Sequence, residues 1–158
     1  MQQSNFEAAI QSHFRFLIDE FGFSIIEARY EQEMGNAIVI FAKNTTRIEV
    51  VRDRSNALIS LGDEKLDRWD WVEFAEAIKF LTGKQERVYL TTSSNTPVSD
   101  DVQVSHLATL MRAHCIQLLS GKMSVIQLRD AIRTRRTQET RAYLDQLRDS
   151  WTEEKNDL

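Results

Sequence analysis

Between Phe6 and Phe21 the apolar residues Phe6, Ala9, Ile10, Phe14, Leu17, Ile18 and Phe21 recur at spacings of three and four, which marks one face of an amphipathic helix. Gly22 stands where a left-handed C-terminal cap belongs and ends it. The period then drops to two: Ile26, Ala28 and Tyr30 alternate with Glu27, Arg29 and Glu31, as in a half-buried strand. A turn at Met34-Gly35-Asn36 leads into Ala37 to Ala42, an unbroken apolar run expected in a central strand covered on both faces. After Asn44-Thr45, Ile48 and Val50 alternate with Arg47, Glu49 and Arg52. After Asp53-Arg54-Ser55-Asn56 come Ala57, Leu58, Ile59 and Leu61. Links this short leave no room for crossover helices, so an antiparallel meander of about four strands is predicted.

The second half reads as helical. Asp70 followed by Glu73 has the spacing of a capping box and predicts a helix from Trp71 to Thr82, closed by Gly83. The segment from Lys84 to Pro97 reads as loop, with Val88-Tyr89-Leu90 a candidate edge strand. Ser99 and the acids Asp100 and Asp101 suit the start of another helix, whose stripe is Val104, Leu107, Ala108, Met111, Cys115, Leu118 and Leu119, and Gly121 stops it. Ser124 with Gln127 opens the last one, where Val125, Leu128 and Ile132 face one way. The fold class is therefore α+β: an N-terminal helix, the meander, then three C-terminal helices, the last one long. With 158 residues and no break in composition, the chain reads as one domain, with 133–158 a candidate protruding tail.

Composition narrows the functional classes. The net charge of -4 and pI near 5.4 disfavour adhesion to phosphate backbones or anionic lipid. The single cysteine, Cys115, cannot form an intramolecular disulfide, and neither a signal-like leader nor an apolar run of about 18 residues occurs, so a cytoplasmic protein is expected.

No constellation of catalytic residues emerges. His13, His106 and His114 include no i, i+4 pair to hold zinc, and Cys115 sits in an apolar stripe that disfavours its thiolate. The glycines are isolated and form no phosphate loop. No catalytic, metal or cofactor residue is assigned, and the chain is expected not to be an enzyme.

Two charged segments remain. Six acids lie between Asp63 and Glu76, and Trp69 and Trp71, at i, i+2 across a predicted helix start, cannot both face one core. Asp63, Glu64, Asp67, Trp69 and Trp71 are therefore the candidate partner-binding residues, an acidic surface with an exposed aromatic anchor. The bland alternative is a solvated face with capping acids. The run holding Arg133, Arg135, Arg136 and Arg141 resembles a nucleic-acid contact. From Ser124 to Leu158, however, seven basic residues are matched by seven acidic ones, and no aromatics interleave the arginines, so nucleic acid is the secondary reading. Beyond the arginines, Tyr143, Leu144, Leu147 and Trp151 restore an amphipathic pattern that lies beyond the core. Either the helix breaks near Arg135 and folds back, or this end docks on a second chain. The second is preferred, and a homodimer through Tyr143, Leu144, Leu147 and Trp151 is expected.

The opening helix ending in Glu20-Phe21-Gly22-Phe23, the strand to Tyr30, the strand ending at Phe41 and the strand from Ile48 to Asp53-Arg54 together resemble small bacterial proteins of uncharacterised families, some similar to immunity proteins of contact-dependent or polymorphic toxin systems. The resemblance is confined to this N-terminal part of the chain. It implies a non-enzymatic inhibitor that binds a toxin, and it assigns no binding residue. No membrane association is expected.

Overall fold

The computed structural model describes residues 5–31, 33–93 and 95–156, with side chains as far as Thr152. It is α+β: an N-terminal helical segment, a five-stranded antiparallel sheet in the order β1-β2-β3-β4-β5, and C-terminal helices of which the last is long.

The opening helix is two pieces, α1 (Asn5–His13) and α2 (Arg15–Asp19), because the chain kinks at Phe14. Phe14 is fully buried there, its ring 6.1 Å from that of Phe41 on the sheet. Ile18, expected inward, is largely exposed. Gly22 takes the left-handed conformation at φ 76 and its amide donates to the Ile18 carbonyl, the bond of an αL cap, while the Phe23 amide reaches the Leu17 carbonyl.

Strands β1 (Ser24–Glu31), β2 (Asn36–Lys43), β3 (Thr46–Asp53) and β4 (Asn56–Asp63) pair in sequence order, as short connections require. The expected half-buried first strand is instead a mostly exposed edge. Its register slips between Ile25 and Glu27, so Ile26 becomes a bulge residue facing water. A fifth strand, β5 (Val72–Glu73), is too short to show alternation in the sequence. It occupies the first residues of the predicted helix 71–82, which in fact spans Phe74–Thr82 (α3). The capping-box assignment is corrected accordingly: Glu73 is the N-cap, accepting from the Glu76 amide, while Asp70 pairs with distant arginines.

Residues 84–93 form no strand. Val88 is buried from that segment, and the Tyr89 hydroxyl donates to the Glu73 carboxylate. Ser99 caps α4 (Asp100–His114), and a bend at Cys115 separates it from α5 (Ile116–Leu119). Ser124 and Gln127 make both bonds of a capping box, at 3.1 and 2.9 Å, and open α6 (Val125–Asn156).

The core lies on one face of the sheet. Ala37, Val39 and Phe41 of β2, Ile48 and Val50 of β3, and Ala57, Ile59 and Leu61 of β4 join one cluster with the buried apolar residues of all six helices. Ile38, Ile40 and Ala42 point the other way and do not belong to that cluster. The two-sided cover expected for β2 is found over its second half, where Val39, Ile40, Phe41 and Ala42 are all buried, while Ile38 stays half-buried.

Candidate protein-interaction site

The acidic segment and the arginine run, which look like two separate surfaces in the sequence, meet. The Asp70 carboxylate accepts from Arg129 at 3.1 Å and from Arg133 at 2.9 Å. Glu76 pairs with Arg136, and Arg135 lies 5.6 Å over the Phe80 ring while reaching Glu139 at 3.4 Å. These contacts clamp the first half of α6 to α3 and to the 3₁₀ turn Arg68–Asp70, above the burial of Val125, Leu128 and Ile132. A shallow groove of about 300 Å³ between α3 and α6 is lined by this network, including Glu76, Lys79, Arg135 and Arg136, and its charges largely satisfy one another.

The arginines beside Asp70 hold its carboxyl below its ordinary value of 3.8, through the hydrogen bond from Arg133 first and that from Arg129 second. A depressed native pKa adds stability that is present above the unfolded value and disappears as pH falls through the folded one. The wild type is therefore expected to resist urea better than Asp70→Asn at neutral pH. The gap between the two midpoints should close as pH drops below 3.8. A gap that is constant with pH would mean the ion pairs contribute nothing.

The expected partner-binding residues divide. Asp63 is only 1% exposed, its carboxylate accepting from the Thr45 hydroxyl and the Lys65 amide, each at 2.9 Å, so it organises a corner and offers nothing to a partner. Trp71 is structural too. Its indole lies against Gly62, with the Arg68 guanidinium 4.5 Å above it, and Arg68 pairs with the buried carboxylate of Glu49. Glu64 is exposed and 3.6 Å from Arg47, and Asp67 is exposed. Trp69, at the crest of the 3₁₀ turn, is 96% exposed. The two tryptophans do face opposite surroundings.

The other apolar feature is the end of α6. The helix is continuous over 32 residues, about 48 Å at 1.5 Å per residue, with no break near Arg135. Beyond Ile132 its described side chains are exposed apart from a half-buried Leu147. Tyr143, Leu144 and Trp151 stand 61%, 57% and 67% exposed, so the fold-back alternative is not the conformation adopted. On a helical wheel Leu144, Leu147 and Trp151 share one stripe, flanked on one side by Tyr143 and on the other by Arg141 and Arg148.

Among the described residues no group of three or more His, Cys, Asp or Glu is placed to hold a metal ion. His13 contacts Asp101 at 2.8 Å across α1 and α4, and His106 meets the Arg87 carbonyl at 3.0 Å. Burial pushes the Cys115 thiol up to about 12. Native protein at about pH 8 is therefore expected to leave Cys115 unlabelled by a thiol reagent and to release it to reaction only on unfolding. Labelling of the folded chain at a free-thiol rate would contradict the burial.

No helix among the described residues is long and apolar enough to cross a membrane. Compared with family models, curated proteins and solved structures, the chain matches none.

Proposed function

We propose that this chain is a non-enzymatic, cytoplasmic protein-binding module that uses the projecting end of α6 as its contact element. One observation carries the reading: a continuous helix, clamped to the body through Arg129, Arg133 and Arg136, holds Tyr143, Leu144 and Trp151 exposed, with Leu147 half-buried between them, beyond the core formed by the described residues. Leaving them in water forgoes about 1.5–3 kcal/mol for each side chain that could be buried. Association costs about 4–15 kcal/mol, so a stripe of four residues binds stably only where its partner covers most of it. The first partner is a second copy, giving a homodimer. A toxin, with Trp69 as an additional anchor, is the heterologous partner to which the immunity-like N-terminal pattern points.

The nucleic-acid reading has less to work with. Of Arg133, Arg135, Arg136 and Arg141, the first three already face acids of the same chain.

Light scattering at tens of micromolar tests the proposal. The full chain is expected to be a dimer, and a chain truncated after Thr140 a folded monomer, since the core lies upstream. A monomeric full chain would remove self-association as its role. Protection against a toxin encoded beside this gene should be lost in Trp69→Ala or in the truncated chain.

A further inference from the structure

The apolar run of β2 calls for cover on both faces, and on the face away from the core the cover reaches Ile40 and Ala42 but leaves Ile38 half-buried. On that face the strand register aligns Ile38 with Val51, and Val51 with Leu58, in a row across three strands, each half-buried, with Ile40 beside it. The end of this face near Gly62 is roofed by Trp71 and Arg68. At the other end a hollow of about 220 Å³ opens, lined by Arg29, Glu31, Ile38, Val51 and Asp53 among others. Arg29 is matched within its own strand by Glu27 at 2.7 Å, whereas Glu31 and Asp53 form no ion pair among the described residues.

The same chain carries an apolar stripe in which Leu144 and Trp151 are exposed and Leu147 is half-buried. Its own α6 cannot bring that stripe back. Asp70 and Glu76 fix the helix up to Arg136, and residues 133–151 contain neither glycine nor proline at which it could break. Pressing two such stripes together would make a seam of barely two heptads and leave the row on the sheet bare. Laying the stripe of one copy on the sheet of the other covers both surfaces. Arg141, which flanks the stripe and forms no ion pair among the described residues, is opposite in charge to Glu31 and Asp53 at that rim.

We propose that in the dimer the α6 end of each copy lies across the open sheet face of the other, Leu144, Leu147 and Trp151 over Ile38, Val51 and Leu58. This rests on self-association through α6 and specifies what receives it. The exchange is reciprocal, so each dimer contains two identical docks.

Sedimentation equilibrium on the full chain and three variants tests it. Leu147→Asp spoils the helix stripe and Ile38→Lys the sheet face. Each alone is expected to weaken dimerisation at least about thirtyfold, while an equimolar mixture recovers dimer, because the intact face of one still takes the intact helix of the other. Should Ile38→Lys fail to fold, the double variant Glu31→Lys with Asp53→Lys, altered only at the exposed rim, is expected to weaken dimerisation about tenfold and to regain it on adding Arg141→Glu. Dimerisation of the face variants as tight as that of the full chain, or a mixture that stays monomeric, would overturn the docking on the sheet and leave pairing of helix ends. A full chain that is itself monomeric would instead overturn the self-association on which the proposal rests, and the proposal with it.

Discussion

Replacing Gly62 by valine is expected to destabilise the fold by about 3 kcal/mol, the upper part of the range for forcing bulk into a packed site. The glycine is there for space and not for its backbone angle. A Cβ at this position of β4 would lie 2.2 Å from two atoms of the Trp71 indole. The ring would have to lift from the sheet, and more than one contact would go with it. Arg68 stacks on that ring and pairs with Glu49, a carboxylate only 4% exposed. A buried carboxylate that loses its cation is costly, so the damage spreads from an apolar clash to an electrostatic one. Urea unfolding should show the lowered midpoint, and native tryptophan emission should shift to the red as the indole meets water. An unchanged midpoint would mean that Trp71 holds nothing in place.

The legible parts of this fold were those decided by neighbours in sequence. Alternation identifies β3, and apolar runs bounded by turn residues identify β2 and β4, because each of these strands buries a face against the same core. Gly22 and Gly83 ended helices because both take positive φ. Ser99 and the pair Ser124 and Gln127 made the caps their spacing predicts. The stripe of Leu144, Leu147 and Trp151 could be read for the same reason, since a helical period is local.

What failed was decided at a distance. Asp70 had the spacing of a capping residue, but Arg129 and Arg133, 59 and 63 positions away, took its carboxylate, and Glu73 was left to cap α3. The acidic segment looked like a docking surface for the same reason: Asp63 turned inward and Asp70 and Glu76 were matched by arginines from α6. Opposite charge on two segments that flank a common core was the only available hint. Kinks at Phe14 and Cys115 leave no mark in the sequence pattern because the apolar period runs on through both. Gln103 gave no signal at all. A glutamine on a helix is ordinarily solvent-facing, and only the tertiary structure shows three backbone segments converging on this one.

Gln103→Leu is expected to cost about 2–4 kcal/mol, because it strips the partners from several polar groups while adding only a modest apolar contact. The side chain is 3% exposed. Its Oε1 accepts from the Ala57 amide at 2.9 Å, and its Nε2 donates to the carbonyls of Ser55 at 2.7 Å and Val98 at 3.0 Å, with the Thr92 hydroxyl at 3.3 Å. One residue of α4 thus fastens the β3–β4 turn and the 92–98 loop. Glutamate in its place separates hydrogen bonding from shape. The acceptor for Ala57 survives, but the ionised carboxylate turns a second oxygen towards the Ser55 and Val98 carbonyls, where a donor is required. Burial and those carbonyls both favour the protonated acid, which can donate once, so the introduced carboxyl has a folded-state pKa above its unfolded value. A raised carboxyl pKa penalises the fold most above the folded value, and the penalty fades as pH falls through it. Relative to wild type at each pH, Gln103→Glu should therefore be markedly weaker at neutral pH and recover towards acid, the reverse of the Asp70→Asn comparison, in which the wild type's advantage fades towards acid. Wild-type unfolding midpoints in both variants would show that the backbone groups around Gln103 find other partners.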